Sequence, residues 1–270
     1  MVYETITAEP HADDERIVRV ALDSPPNNVI DRRMLTELRE AFEAADRAAD
    51  VQAILLTAER EPFCSGADLD ELVDLDFEAG SRWLTAYLET IDVLRETGKP
   101  AVAAVSGTCV AGGNELVMGC DLVVAGESAR FGQPEVGVGS TAAGGGVQLL
   151  PLVVGEKRAR ELLLTGDLLS ADEAERYGLI NRVVDDDEVE ARAMKLLQRI
   201  IDTKSPQAYR AIKSVMSTWT NLGMVHRELA RDMTARVWAS EEFKERAAAF
   251  QRRDEQTPRP FTGSRPGDDE

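Results

Sequence analysis

The stretch Ser106-Gly107-Thr108-Cys109-Val110-Ala111-Gly112-Gly113-Asn114-Glu115-Leu116, continued by Cys120-Asp121-Leu122-Val123-Val124 and Ala129-Arg130-Phe131-Gly132-Gln133-Pro134-Glu135, decides how this chain reads. It opens at the end of the apolar run Ala101 to Val105 and breaks at Gly112-Gly113. Leu116, Val117 and Cys120 then resume at helical spacing, which predicts strand, tight turn, helix. Such a turn aims backbone N–H groups outward, glycines let a ligand oxygen approach the chain, and the helix start favours negative charge. These are the components of an oxyanion hole. Glu115 in the first helical turn and Glu135 after Gln133-Pro134 supply two carboxylates, the makings of an acid/base pair beside a polarised carbonyl.

N-terminal to this stretch, Val2 to Ala8 and Arg16 to Leu22 alternate around a polar turn and predict a hairpin. Pro25-Pro26-Asn27-Asn28 is a rigid loop. From Asp31, a fair N-cap, Met34, Leu35, Leu38, Phe42 and Ala45 mark an amphipathic helix. A buried strand is expected at 51–57. Glu61 to Leu69, with Phe63-Cys64-Ser65-Gly66-Ala67-Asp68, is a second glycine-bearing turn into a helix where donors could converge. Ser81 to Thr97 is helical. Gly98-Lys99 after it is not a phosphate loop, because Val93 stands where glycine would be required and Pro100 replaces Ser/Thr.

C-terminal to the stretch, strands are expected at 122–125 and 129–131, and a loop at Gly137 to Gly146 leads into a helix over 147–154. Helices follow at 157–164 and 170–177, the latter with the capping box Ser170/Glu173, and a strand at 180–184. Beyond that the chain reads as helices at 187–202, 205–219, 222–238 and 240–253. The expected division is a β/α core over 1–200, a helical region over 201–256 and a flexible acidic tail over 257–270.

The 270 residues can bury a sizeable core. Neither a signal peptide nor a transmembrane run is visible, so a soluble, cytoplasmic protein with no membrane partner is expected. Cys64, Cys109 and Cys120 lack zinc-site spacing, and only His11 and His226 could assist them, which argues against a metal or a disulfide framework. Cys64 has no histidine near it in sequence and reads as a small buried filler. The net charge of −18 argues against nucleic acid as a partner, which needs a basic face. Of 31 basic residues only six are lysine, and an acid-rich, lysine-poor surface suits multimolar salt, where self-repulsion is screened. A halophilic source is therefore expected.

Six ordered motifs resemble the enoyl-CoA hydratase/isomerase (crotonase) superfamily over roughly residues 15 to 255. They are Phe63 to Leu69, Ser106 to Leu116, Cys120-Asp121-Leu122, Phe131 to Glu135, Ser170 to Ala174 and Gly178 to Val184. The resemblance implies an α/β fold, a crotonase-like spiral of ββα turns, with a C-terminal helical trimerisation region that builds homotrimers or dimers of trimers. It implies an acyl-CoA thioester as ligand and no separate cofactor, coenzyme A being part of the substrate. The N–H groups of Ala67 and Gly112 would bind the thioester oxygen, and Ala67, Asp68, Leu69 and Asp70 would line the adenosine and pantetheine side. Glu115 and Glu135 match the two glutamates of the hydratase branch and imply reversible addition of water to a 2-enoyl-CoA. The alternative is an isomerase or another acyl-CoA lyase or hydrolase acting on a branched or cyclic acyl group.

Departures from the family pattern are specific. Ala111 stands where many relatives have a third glycine, a change expected to be harmless, and the loop at Pro25 to Asn28 lacks a basic residue often found there. Gly139 to Gly146 replaces a proline-containing version, and Leu149 stands where arginine is frequent.

Overall fold

The structure, a computed structural model, describes residues 2–259. Strands β1 (Ile6–His11) and β2 (Asp14–Leu22) form the expected antiparallel hairpin, its first strand beginning at Ile6 rather than Val2. Asp31 caps α1 (Arg32–Arg47): its carboxylate accepts the Met34 N–H at 2.7 Å, and Met34, Leu35, Leu38, Phe42 and Ala45 are buried along one stripe. Next come β3 (Ala53–Ala58), the single turn α2 (Leu69–Leu72) and α3 (Phe77–Glu96), which starts four residues before the expected Ser81 because Asp76 caps it.

The deciding stretch contains one element more than expected. After β4 (Ala101–Val105) the chain turns at Gly107 into a short β5 (Thr108–Val110) before entering α4 (Gly112–Met118). Three residues cannot display an alternation, so β5 is hidden in the sequence. Then follow β6 (Leu122–Gly126), β7 (Arg130–Gly132), a 3-10 turn over Pro134–Val138 that takes up the start of the loop expected at 137–146, α5 (Gly146–Val154) and α6 (Glu156–Thr165). The last strands and helices are β8 (Leu169–Ser170), α7 (Ala171–Tyr177) with its capping box, β9 (Arg182–Val184), α8 (Val189–Thr203), α9 (Pro206–Gly223), α10 (Arg227–Trp238) and α11 (Glu241–Arg252). Of the expected tail, residues 257–259 carry no regular structure and 260–270 lie outside the described residues.

Six strands form one sheet in the order β1-β2-β3-β4-β6-β9, parallel from β2 onward, and β5-β7-β8 form a second, small sheet. Successive turns of chain each give one strand to the large sheet, one extended segment to the small one, and then a helix. That is the ββα spiral. The first such turn supplies no named strand to the small sheet, but Cys64 bridges Cys109 in parallel, and Cys109 in turn pairs with Phe131.

Both faces of the large sheet are covered, which is why its strands read as unbroken apolar runs. Ile54, Leu56, Ala101 and Ala103 face the main core with α1, α3 and α4, while Ala53, Leu55, Val102 and Ala104 face α8 through Val189, Ala193, Met194 and Leu197. Helices α10 and α11 join the main core through Ala235, Trp238, Phe243 and Ala247. Helix α9 buries none of its residues. No helix among the described residues is long and apolar enough to cross a membrane.

Candidate active site

The spiral brings equivalent positions of successive turns side by side. Cys64, Cys109 and Phe131 are in register, and three residues past the first two lie Ala67 and Gly112, at the corners where extended chain becomes helix. Hydrogen bonding fixes which way each corner amide points. The Gly66 carbonyl accepts the Ile30 N–H at 2.8 Å, so across the flat trans peptide the Ala67 N–H is directed the opposite way. The Ala111 carbonyl likewise accepts the Glu115 N–H at 3.0 Å, which turns the Gly112 N–H away from α4. A Cβ placed on Gly66 would stand 3.5 Å from the Gly112 nitrogen, a measure of how closely the corners abut. Among the described residues neither amide has an acceptor, and both residues line a cavity of ≈ 490 Å³.

Close contact between turns also explains the glycine pair. A Cβ on Gly113 would lie 2.6 Å from that of Cys64 and 2.8 Å from the Cys64 carbonyl oxygen. Cys64 is itself buried, its thiol pushed up to about 12 by loss of solvent, which fits a filler and not a nucleophile.

Ala111 corrects the expectation that its substitution for glycine is harmless. It holds φ +51° and ψ −126°, a conformation an L side chain seldom adopts, between its N–H to Gly132 O (2.9 Å) and its carbonyl to Glu115.

Glu115 and Glu135 line the same cavity as the two amides. Glu115 is 3 % exposed and accepts the Gly146 N–H at 2.8 Å. Burial, and next the charge of Glu135, pushes its pKa well above the ordinary carboxylate range, against the pull of Gly146, Tyr87 and Gly144. Burial likewise raises Glu135, to about 8. Gln133, buried on the turn before it, donates its amide to the Ala111 carbonyl at 3.2 Å and to the Glu135 oxygens at 2.9 and 3.3 Å, the orientation its neighbours require. Both carboxyls therefore hold their protons to higher pH than an ordinary glutamate does.

Asp68 and Leu69 also line the cavity, as Ala67 does. Asp70 does not: it is exposed, and its carboxylate accepts the amide of Gln251, a lining residue from α11. Arg252 is paired with Asp254 at 2.8 Å. Besides Gln133, three groups at the site carry no signal in the sequence. Tyr87 looks like one more apolar position of α3, yet its hydroxyl donates to the Gly112 carbonyl. Gly144 and Gly146, in what reads as a plain glycine-rich loop, hold Glu115 through their amides.

Two unpartnered corner amides and two carboxyls with raised pKa values thus line one cavity, a set of groups able to polarise a carbonyl and move protons beside it. Comparison with known proteins agrees. The sequence profile described as enoyl-CoA hydratase/isomerase matches residues 12–262. A probable enoyl-CoA hydratase of Rhizobium meliloti is 35 % identical over 93 % of this chain and 96 % of its own, and the mitochondrial enoyl-CoA hydratase of Pongo abelii is 30 % identical over 92 % and 85 %. The crystal structure of an enoyl-CoA hydratase/isomerase from Xanthobacter autotrophicus Py2 superposes with a TM-score of 0.84 at 30 % identity, covering 93 % of this chain and 94 % of that one. This chain belongs to the enoyl-CoA hydratase/isomerase family, with the crotonase fold, and is an enzyme consistent with a hydro-lyase.

Proposed function

We propose that this enzyme adds water reversibly to the double bond of a 2-enoyl-CoA. The observation that carries the reading is the presence of Glu115 and Glu135 in one cavity with the free amides of Ala67 and Gly112. The thioester oxygen sits between those amides, which stabilise the enolate as it forms; loss of one such donor typically costs ~10²–10³ in rate. Glu115, ionised and held by backbone donors, takes a proton from water as the water oxygen bonds to Cβ. Glu135, the protonated partner, delivers its proton to Cα. The proton gained by Glu115 then returns to Glu135, and the net change is one H₂O added. Ala67, Asp68 and Leu69 line the adenosine and pantetheine side of the cavity, with Asp70 at the rim beside Gln251. The helical region over 201–256 serves oligomerisation, and the acidic, arginine-rich surface serves life in high salt.

Loss of the conjugated-thioester absorbance of crotonyl-CoA tests the reaction. Glu115→Gln and Glu135→Gln are each expected to lower kcat at least ~100-fold, the usual reach of general acid–base catalysis. Unchanged rates would remove the assigned roles. In H₂¹⁸O the product gains label if water adds and none if the double bond merely migrates.

A further inference from the structure

The hydration scheme leaves one buried polar group unused. Tyr87 is 2 % exposed, lines the cavity, and projects from α3 between the Gly112 corner and Glu115. Its hydroxyl donates to the Gly112 carbonyl, and the same hydroxyl is among the groups that favour ionised Glu115. A phenol has one proton and so serves one acceptor at a time. Burial and the charge of Glu115 push its own pKa well up, so it remains a donor throughout. The ring is fitted to this place: a Cβ on Gly144 would fall 2.1 Å from Tyr87 Cε1 and 2.5 Å from Glu115 Oε2, so only glycine lets ring edge and carboxylate flank the same point. On Gly112 a Cβ would meet the hydroxyl at 2.9 Å.

We propose that Tyr87 is a positioning residue for the proton chemistry, its O–H turning from the Gly112 carbonyl to the Glu115 carboxylate when Glu115 is ionised and back when Glu115 takes a proton. This rests on the hydratase reading. No covalent bond changes; only the O–H torsion does. The titratable groups facing the hydroxyl are Glu115 on α4, Glu135 on the 3-10 turn and Cys64 beyond β3. Among them the ionised Glu115 gains most from a donor, because a hydrogen bond to a charged acceptor in a dry site is roughly twice as strong as one to a carbonyl. Back on Gly112, the hydroxyl anchors the corner that aims the thioester-binding amide. One side chain thereby serves both halves of the site in turn, without touching the substrate's reacting carbons.

Tyr87→Phe keeps the ring against Gly144 and removes only the hydroxyl. Hydration of crotonyl-CoA by both proteins across pH, and the titration of the Glu115 carboxyl by ¹³C NMR of carboxyl-labelled glutamate (assigned with Glu115→Gln), test the proposal. In Tyr87→Phe kcat is expected to fall about tenfold with KM within about twofold, and the acidic limb of the rate profile to move up by about one pH unit. The Glu115 resonance should move the same way. A lowered melting temperature with an unmoved pH limb and an unmoved Glu115 titration would reduce Tyr87 to packing and overturn the proposal. Should the wild type hydrate no enoyl-CoA, the hydratase reading fails by itself, and the Glu115 titration still decides for or against Tyr87.

Discussion

Ala111 is the residue where the backbone is under most evident strain at the site. Its conformation, φ +51°, costs an alanine on the order of 1–3 kcal/mol, while glycine adopts it freely at a smaller cost in unfolded-chain entropy. Ala111→Gly is therefore expected to raise stability by about 1 kcal/mol in urea unfolding. A loss of stability would mean that the methyl's contact with Gly66 outweighs the strain. Glu135 carries the opposite kind of tension. Burial holds its folded pKa at about 8 against an ordinary 4.5, so the folded protein keeps a proton that the unfolded chain has released. Its contribution to stability is full below the unfolded value and is lost as pH climbs through the folded one, at about 1.4 kcal/mol per unit. Glu135→Gln should flatten that decline between pH 5 and 8, giving a protein stabler at pH 8 than the wild type while poorer in catalysis. Parallel stability profiles for the two would contradict it.

At the scale of elements, helix α9 stands apart. Lys213 ties it to Asp121 at 2.7 Å and Arg95 ties it to Thr220 at 2.9 Å, so polar groups hold one side. Ile212, Val215, Met216, Trp219 and Leu222 leave the other side exposed, Trp219 by 70 %. An apolar stripe this continuous signals a surface made to be covered. On the proposal that the helical region serves oligomerisation, Trp219→Glu is expected to lower the native mass seen by sedimentation; an unchanged mass would remove α9 from that proposed contact. Most elements were legible from periodicity and caps, as at Asp31 and Ser170, because those signals are local. β5 was not, being three residues long, nor was the start of α3, which the Asp76 cap sets ahead of any apolar repeat. At the site, Glu115, Glu135 and the two corners could be read because carboxylates and glycine turns are chemically conspicuous. Tyr87, Gln133, Gly144 and Gly146 could not, since their parts depend on which distant segments the spiral lays against one another.

For the molecule as a whole, the charge of −18 is the dominant long-range term. Many arginines are drawn into pairs, among them Arg19 with Glu59 at 2.6 Å and Glu190 at 2.9 Å, and Arg16 with Asp14 and Asp202. Such pairs answer local repulsion but leave the net excess, which salt screens over a Debye length of ~3 Å at 1 M. Unfolding midpoints are therefore expected to rise from low salt to 2 M KCl; a protein equally stable in both would end the high-salt reading.

Phe250 and Gln251, near the end of α11, help to wall the cavity, and Gln251 grips Asp70 at 2.6 Å. The chamber is thus closed where two segments 181 residues apart in sequence meet. A protein lacking α11 would keep both acids and lose this wall, so its grip on a ligand depends on two distant stretches of chain finding each other.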